Sequence, residues 1–187
     1  MDISQNPQNF KQQFFAGEVF AYPTEAVFGL GCDPTNEAAV MKLLALKNRS
    51  LEKGLILIAS SKQQLTQYVN FSAINPEILA EVKNSWPGPN TWLLPKQQGT
   101  PDFITGGSDL VAVRVSDHPV VNQMCEQVNS AIVSTSANLN GEPPAKTCEQ
   151  VYAQFGPSLL CVHGALGNQK NPSQIRNGIT GETVRAS

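Results

Sequence analysis

Apolar residues gather in short runs along the chain, and polar or amphipathic stretches separate them. Runs of strand length stand at 18–22 (EVFAY), 55–59 (LILIA), 91–95 (TWLLP), 110–115 (LVAVRV), 131–135 (AIVST) and 158–162 (SLLCV). Between several of them the spacing changes to that of an amphipathic helix. Over 36–47 (NEAAVMKLLALK), Val40, Leu43, Leu44 and Leu46 form an apolar face, and Thr35 or Asn36 can cap the first free N–H groups. Helices are also predicted at 76–86, 118–128 and 147–155, the last opening with a Thr147/Gln150 capping box. In the tail, Asn177-Gly178 and Thr180-Gly181 favour a closing hairpin over another helix. Alternating strands and helices make an α/β fold, and the hairpin gives its sheet mixed strand directions.

Size and composition narrow the class. No repeat, low-complexity tract or linker divides the 187 residues, so the expectation is a single domain over 1–187 that buries roughly 70% of its extended-chain surface. Hydrophobic content of 41% with 15% charged residues fits a globular protein rather than a disordered one. The first twenty residues lack a basic start followed by an apolar stretch, and no apolar run is long enough to cross a bilayer. The expectation is therefore cytoplasmic, with no membrane partner. Cys32, Cys125, Cys148 and Cys161 are scattered, with no zinc spacing to His118 or His163, and read as buried or idle thiols. A formal net charge of -2 is far from the basic balance of a dominant nucleic-acid binder, so any RNA contact must rest on a local patch.

Candidate chemistry collects where two apolar strands run into polar sequence, VFAY into PTEA and AIV into STSAN. Ligands of open α/β sheets gather outside the carboxyl ends of strands, and two such ends can face one cleft. In an extended stretch Ser134 and Ser136 share a face while Thr135 turns away. Turn and capping roles are the plainer account of any one of these hydroxyls. Lys47 stands at a predicted helix end, where a cation complements exposed carbonyls. Once the chain leaves the helix, Lys47 and Arg49 can approach one anion, as a point charge and a bidentate fork that suit a phosphate chain. Arg114 lies inside an apolar strand; either it snorkels at a sheet edge or it meets a carboxylate, with a ligand's carboxylate favoured. His118, before Pro119 at a helix start, has a local structural role as its simplest reading. No phosphate loop of the G-x-x-x-x-G-K-[ST] type, no G-x-G-x-x-G and no G-x-S-x-G elbow occurs.

These segments together resemble the YrdC/Sua5 family over nearly the whole chain, in the order YPTEAVFGLGCDP, LKNRSLEKGLILIA, WPGPNTWLLP, LVAVRVSDHP, STSANLNGEPP and NPSQIRNGITGE. The resemblance implies a twisted open sheet of mixed parallel and antiparallel strands with flanking helices and a concave ligand-binding face. It also implies a nucleotidyltransferase that joins L-threonine, bicarbonate or CO2, and ATP into L-threonylcarbamoyladenylate, with release of diphosphate, for the modification of tRNA at adenosine 37. The K-x-R and S-x-N signatures fall on Lys47, Arg49, Ser136 and Asn138, which would contact ATP, with Lys47 and Arg49 also serving catalysis. Thr91 would add a nucleotide contact, and Thr24, Arg114 and Ser134 would hold threonine. The PTEAVFGLG turn would be a substrate wall whose glycines permit close backbone approach. Mg2+ would accompany ATP, and Glu25 reads as a surface or turn carboxylate outside the catalytic set. Other tRNA-threonylcarbamoylation proteins would be partners, with tRNA itself held weakly or indirectly. Ser50 stands where many members have proline and Ile58 where longer members have histidine; the second domain of those longer members is absent. A noncatalytic RNA-binding module is the alternative function, and a carbamoyl-adenylate site like that of hydrogenase-maturation carbamoyltransferases is a further one.

Overall fold

The computed structural model describes residues 1–3 and 5–186. Strands β1 (Phe20–Pro23), β2 (Phe28–Gly31), β3 (Ile56–Ala59), β4 (Asn90–Pro95), β5 (Leu110–Val115), β6 (Ile132–Ser136), β7 (Leu160–Cys161), β8 (Gln174–Asn177) and β9 (Thr183–Arg185) form one open sheet in the order β7-β1-β2-β6-β3-β5-β4-β8-β9. β1 with β7, β3 with β5 and β4 with β8 run parallel; the other neighbours run antiparallel. The mixed sheet and the terminal β8–β9 hairpin are as expected. Helices α2 (Glu37–Leu46), α3 (Pro76–Ser85), α5 (Pro119–Val128) and α6 (Cys148–Phe155) match the predicted ones, while α1 (Pro7–Phe15) and the short α4 (Asp102–Thr105) are additions. Asn36 caps α2 through its side chain, and Thr147 does the same for α6.

Side-chain alternation divides the sheet into two faces. Ala21, Leu30, Leu57, Trp92, Val113 and Val133 enter the larger core with Val40, Leu43 and Leu44 of α2, Val82 of α3 and Val151 of α6. On the other face Phe20, Tyr22, Ile58 and Ile132 pack against Phe10 and Phe14 of α1 and Met124 and Val128 of α5. One step along the strands, that second face continues as Ile56 opposite Ser134 and Ala112, with Ala112 opposite Leu93. These residues line an open pocket instead of meeting a helix. The site is thus the uncovered half of a face whose other half is core. Ile58 lies on the covered half, fully buried.

Two expectations are corrected. The segment PTEAVFGLG is not one long turn: residues 24–27 turn, and Phe28–Gly31 pairs with β1 as a strand. Gly31 is glycine for packing, since a Cβ there would stand 2.6 Å from the Val133 carbonyl oxygen and 2.9 Å from the Tyr22 ring. Cys148 and Cys161 are not idle thiols. The fold brings the first turn of α6 and the edge strand β7 to a Cα separation of 6.0 Å, and the two form a disulfide; Cys32 and Cys125 are buried thiols.

Candidate active site

The pocket has a volume of about 490 Å³. Its lining includes Thr24, Arg49, Thr91, Arg114, Ser134, Ser136 and Asn138, so seven of the eight predicted site residues face one space. They come from four places in the fold: the β1–β2 turn, the exit of α2, the neighbouring strands β4 and β5, and the end of β6. Thr135 also contributes to the lining, although its strand position alternates with Ser134 and Ser136. Arg49, Lys53, Arg114 and Arg185 outnumber Glu25 and Glu52 around the pocket. In a molecule of net charge -2, this local excess makes the pocket a place for an anion.

Lys47 is the eighth residue and lies beneath the lining. It is the C-cap of α2, and Asn48 follows with φ 48°, a left-handed step that turns the chain before Arg49. The two cations therefore part. The Lys47 ammonium donates to the backbone carbonyls of Ser136 and, at 2.6 Å, of Asn138, stapling the S-x-N segment to the end of α2. Burial, with the Arg49 charge adding to it, lowers its pKa to about 8. Arg49 donates through Nη2 to the Gly54 carbonyl at 2.9 Å, and its Nε is buried without a hydrogen-bond partner. Ser136 donates to the Asn138 side-chain oxygen at 2.6 Å, and the Asn138 amide donates to the carbonyls of Leu139 and Glu142. The S-x-N loop is thus shaped by its own side chains.

Arg114 meets a carboxylate, but the partner belongs to the chain: Nη2 donates to Glu25 Oε2 at 2.7 Å, in an ion pair nearly closed to solvent. Glu25, expected at the surface, is 5% exposed and also accepts a 2.6 Å hydrogen bond from the Ser116 hydroxyl. Beside this pair, Thr24 donates to the Val27 carbonyl, closing the turn, and Tyr22 donates to Ser134 Oγ at 2.7 Å. Burial holds the Tyr22 phenol far above its ordinary pKa, so it stays a donor, and the Ser134 hydrogen is left free to point elsewhere. His118 is the N-cap of α5, and its Nε2 lies 3.1 Å from the Ala165 carbonyl, which agrees with a structural role.

Sequence reasoning missed Ser173 and Arg185. Ser173 pairs its hydroxyl with that of the buried Thr91 at 2.8 Å, and Arg185 donates to the Ser173 carbonyl at 2.8 Å; both line the pocket. The hairpin signal at 177–181 placed a strand there, but nothing in the sequence shows that this strand returns to the cleft. Among the described residues no group of three or more His, Cys, Asp or Glu gathers to hold a metal, and both Glu25 oxygens are engaged. The residues present do not make a protein-built Mg2+ cage. The ion's usual setting, one or two carboxylates plus substrate phosphates, would here have to come almost wholly from the phosphates.

Comparison with known proteins agrees with this geometry. The family model Sua5/YciO/YrdC, described as "Telomere recombination", matches residues 12–187. A threonylcarbamoyl-AMP synthase of Pseudoalteromonas atlantica is 49% identical over 185 residues, covering 99% of both chains. That of Yersinia enterocolitica is 53% identical over 168 residues, 90% of this chain and 88% of the other. Among solved structures, P. abyssi Sua5 complexed with L-threonine superposes with a TM-score of 0.81 at 31% identity, over 89% of this chain and 49% of that longer one. E. coli YciO, at 17% identity and a TM-score of 0.78 over 96% of this chain and 91% of its own, shares the fold. By sequence over nearly its whole length and by the architecture of its sheet, the chain belongs to the Sua5/YciO/YrdC family.

Proposed function

We propose that this chain, as one domain, forms L-threonylcarbamoyladenylate from L-threonine, bicarbonate and ATP. The observation that carries the reading is the single pocket in which residues far apart in sequence meet: a guanidinium beside the S-x-N loop at one part, and Arg114 with Thr24 and Ser134 at another. Curated relatives at about 50% identity are named for this activity, and the Sua5 structure holds L-threonine.

In this reading the threonine carboxylate is received by Arg114, and Thr24 and Ser134 supply hydroxyls around the rest of the amino acid. Arg49, Thr91, Ser136 and Asn138 receive the nucleotide, and Lys47 supports them from below. The neutral amine attacks CO2, formed from bicarbonate and a proton with loss of water, and gives a carbamate as the amine's proton passes to solvent or substrate. A carbamate oxygen then forms a bond to the α-phosphorus of ATP as the bond to the bridging oxygen breaks and diphosphate leaves. Both reacting groups belong to substrates, so the protein contributes position and charge rather than a nucleophile. Arg49, which lines the pocket, would face the negative charge that grows on the phosphates. Mg2+, carried by the ATP phosphates rather than by protein ligands, would neutralise phosphate charge. The product is labile and passes to other tRNA-threonylcarbamoylation proteins, which fits a cytoplasmic setting; among the described residues no helix is long and apolar enough to cross a membrane.

The test is incubation with ATP, Mg2+, bicarbonate and threonine, followed by rapid chromatography for an AMP conjugate, with serine and carbamoyl phosphate as substrate swaps. A threonine-dependent conjugate is expected. A conjugate formed from carbamoyl phosphate and not from threonine would overturn the reading.

A further inference from the structure

Glu25 lies in the turn between β1 and β2, yet its carboxylate oxygens and its carbonyl are all held. One carboxylate oxygen takes Arg114 Nη2 and the other takes the Ser116 hydroxyl. Its carbonyl accepts the Gln169 N–H at 3.0 Å, and the Thr24 carbonyl accepts that of Gly167 at 3.0 Å. The approach is close enough that a Cβ on Gly167 would stand 2.8 Å from Glu25 Cα. The segment around 164–169 is therefore laid across this turn and locks it, and the carboxylate is aimed from a fixed base.

Its charge is fixed too. Burial pushes the Glu25 carboxyl upward, but the Arg114 guanidinium, the Ser116 hydroxyl, a backbone hydrogen bond and the nearby His118 together pull it below the ordinary glutamate value. With both oxygens already engaged and its proton affinity lowered, this anion is a poor proton acceptor near neutrality. What remains is its effect on Arg114. A guanidinium carries five N–H donors in a rigid fork; pinning one of them sets the plane and direction of the rest. The same anion also repels an incoming carboxylate. Arg185, close enough to Arg114 to be felt electrostatically, adds positive charge that opposes this repulsion.

We propose that Glu25 is the positioning residue that aims Arg114 at the carboxylate of the amino-acid substrate, with Ser116 and the 164–169 segment as its supports. The inference rests on the reading of Arg114 as the threonine-binding cation. A merely structural role would disturb both substrates alike and independently of Arg114, whereas a positioning role acts through Arg114 alone.

The experiment is a double-variant cycle on the full chain, with threonine affinity measured by titration calorimetry and KM for threonine and ATP measured in parallel. Glu25→Gln keeps the size and an acceptor but removes the charge, and it weakens threonine about 10-fold with KM for ATP changed less than ~2-fold. In an Arg114→Gln background the same change costs less than a further ~2-fold. Ser116→Ala, a smaller disturbance, weakens threonine about 3-fold and supplies the test if Glu25→Gln does not fold. Wild-type threonine affinity in the folded Glu25 and Ser116 variants, or effects that multiply in the double variant, overturn the proposal. If Arg114→Gln itself binds threonine like the wild type, the site reading falls first, and that outcome is distinct from a failure of Glu25 alone.

Discussion

At the scale of the residue, two cations that stand two positions apart in the sequence, Lys47 buried and Arg49 half-buried, do different work. Arg49 reaches the pocket, and its buried Nε has no partner in the protein. A donor left unsatisfied in a site otherwise rich in hydrogen bonds points to a ligand that completes it. Arg49→Ala is expected to lower turnover at least ~10-fold, the effect of losing about 1.4 kcal/mol of transition-state stabilisation, measured by steady-state kinetics at saturating substrates. Lys47 acts as an ammonium that holds two carbonyls of the S-x-N loop, and that hold weakens when its proton leaves. With its pKa lowered to about 8, activity should fall as pH rises through that value, and Lys47→Arg should move the alkaline limb upward. The sign for stability is opposite. Between about 8 and the ordinary lysine value of 10.5 the unfolded chain binds more protons than the folded one, so this group makes stability rise with pH. Loss of activity without loss of melting temperature over that window separates a site effect from unfolding. The K-x-R and S-x-N spacing led to residues that the fold brings together, but not to the layering that puts Lys47 under Arg49. That layering follows from the left-handed step at Asn48, which an asparagine permits but does not announce. Glu25 escaped for a related reason: its partner stands 89 positions away, and a pairing at that range leaves no trace in local pattern.

At the scale of the element, the strands and helices that carry the core were legible because each has a clear period and its own stop signals. Helix α1 was not read, although Phe10 and Phe14 stand one turn apart on its buried face, because its polar, glutamine-rich remainder hides so narrow an apolar stripe. Strand β2 was read as a turn because Gly29 and Gly31 look like loop residues. Their neighbours explain them: the Tyr22 ring lies over both glycines, 3.1 Å from a Cβ at Gly29 and 2.9 Å from one at Gly31, and reaches Ser134 across the sheet. Gly31→Ala would press a methyl group against the Val133 carbonyl and the Tyr22 ring in the middle of a paired region. A destabilisation of about 1–3 kcal/mol is expected, seen as a fall of several degrees in melting temperature. Because Tyr22 must shift to relieve the clash, a weaker hold on threonine through Ser134 should accompany it. A Gly31→Ala variant with unchanged melting temperature would show that the sheet yields more readily than this packing implies.

At the scale of the whole molecule, the sheet faces and the charge distribution point to the same division of labour. The covered half of the second face supplies stability, and the bare half supplies a concave site framed by four cations in a chain of net charge -2. Such a field draws a small polyanion into the cleft but gives a long one little to follow outside it, since phosphate neutralisation along a nucleic acid needs cations spread over a surface. The chain should therefore handle ATP and leave tRNA to its partners. Two measurements test this together. Adding tRNA should leave the rate of adenylate formation within about 2-fold, because no substrate carboxylate or phosphate depends on it. Direct titration of labelled tRNA near 0.15 M salt should give dissociation constants no tighter than the nonspecific range of roughly 10⁻⁴–10⁻⁶ M. Tight binding that weakens steeply with salt, in protein that makes no adenylate, would instead favour a noncatalytic RNA-binding module. Tight binding in protein that does make adenylate would mean that the product forms beside its acceptor, and that basic residues outside the cleft, such as Lys42, Lys62 and Lys146, act as a group despite their dispersal in the sequence.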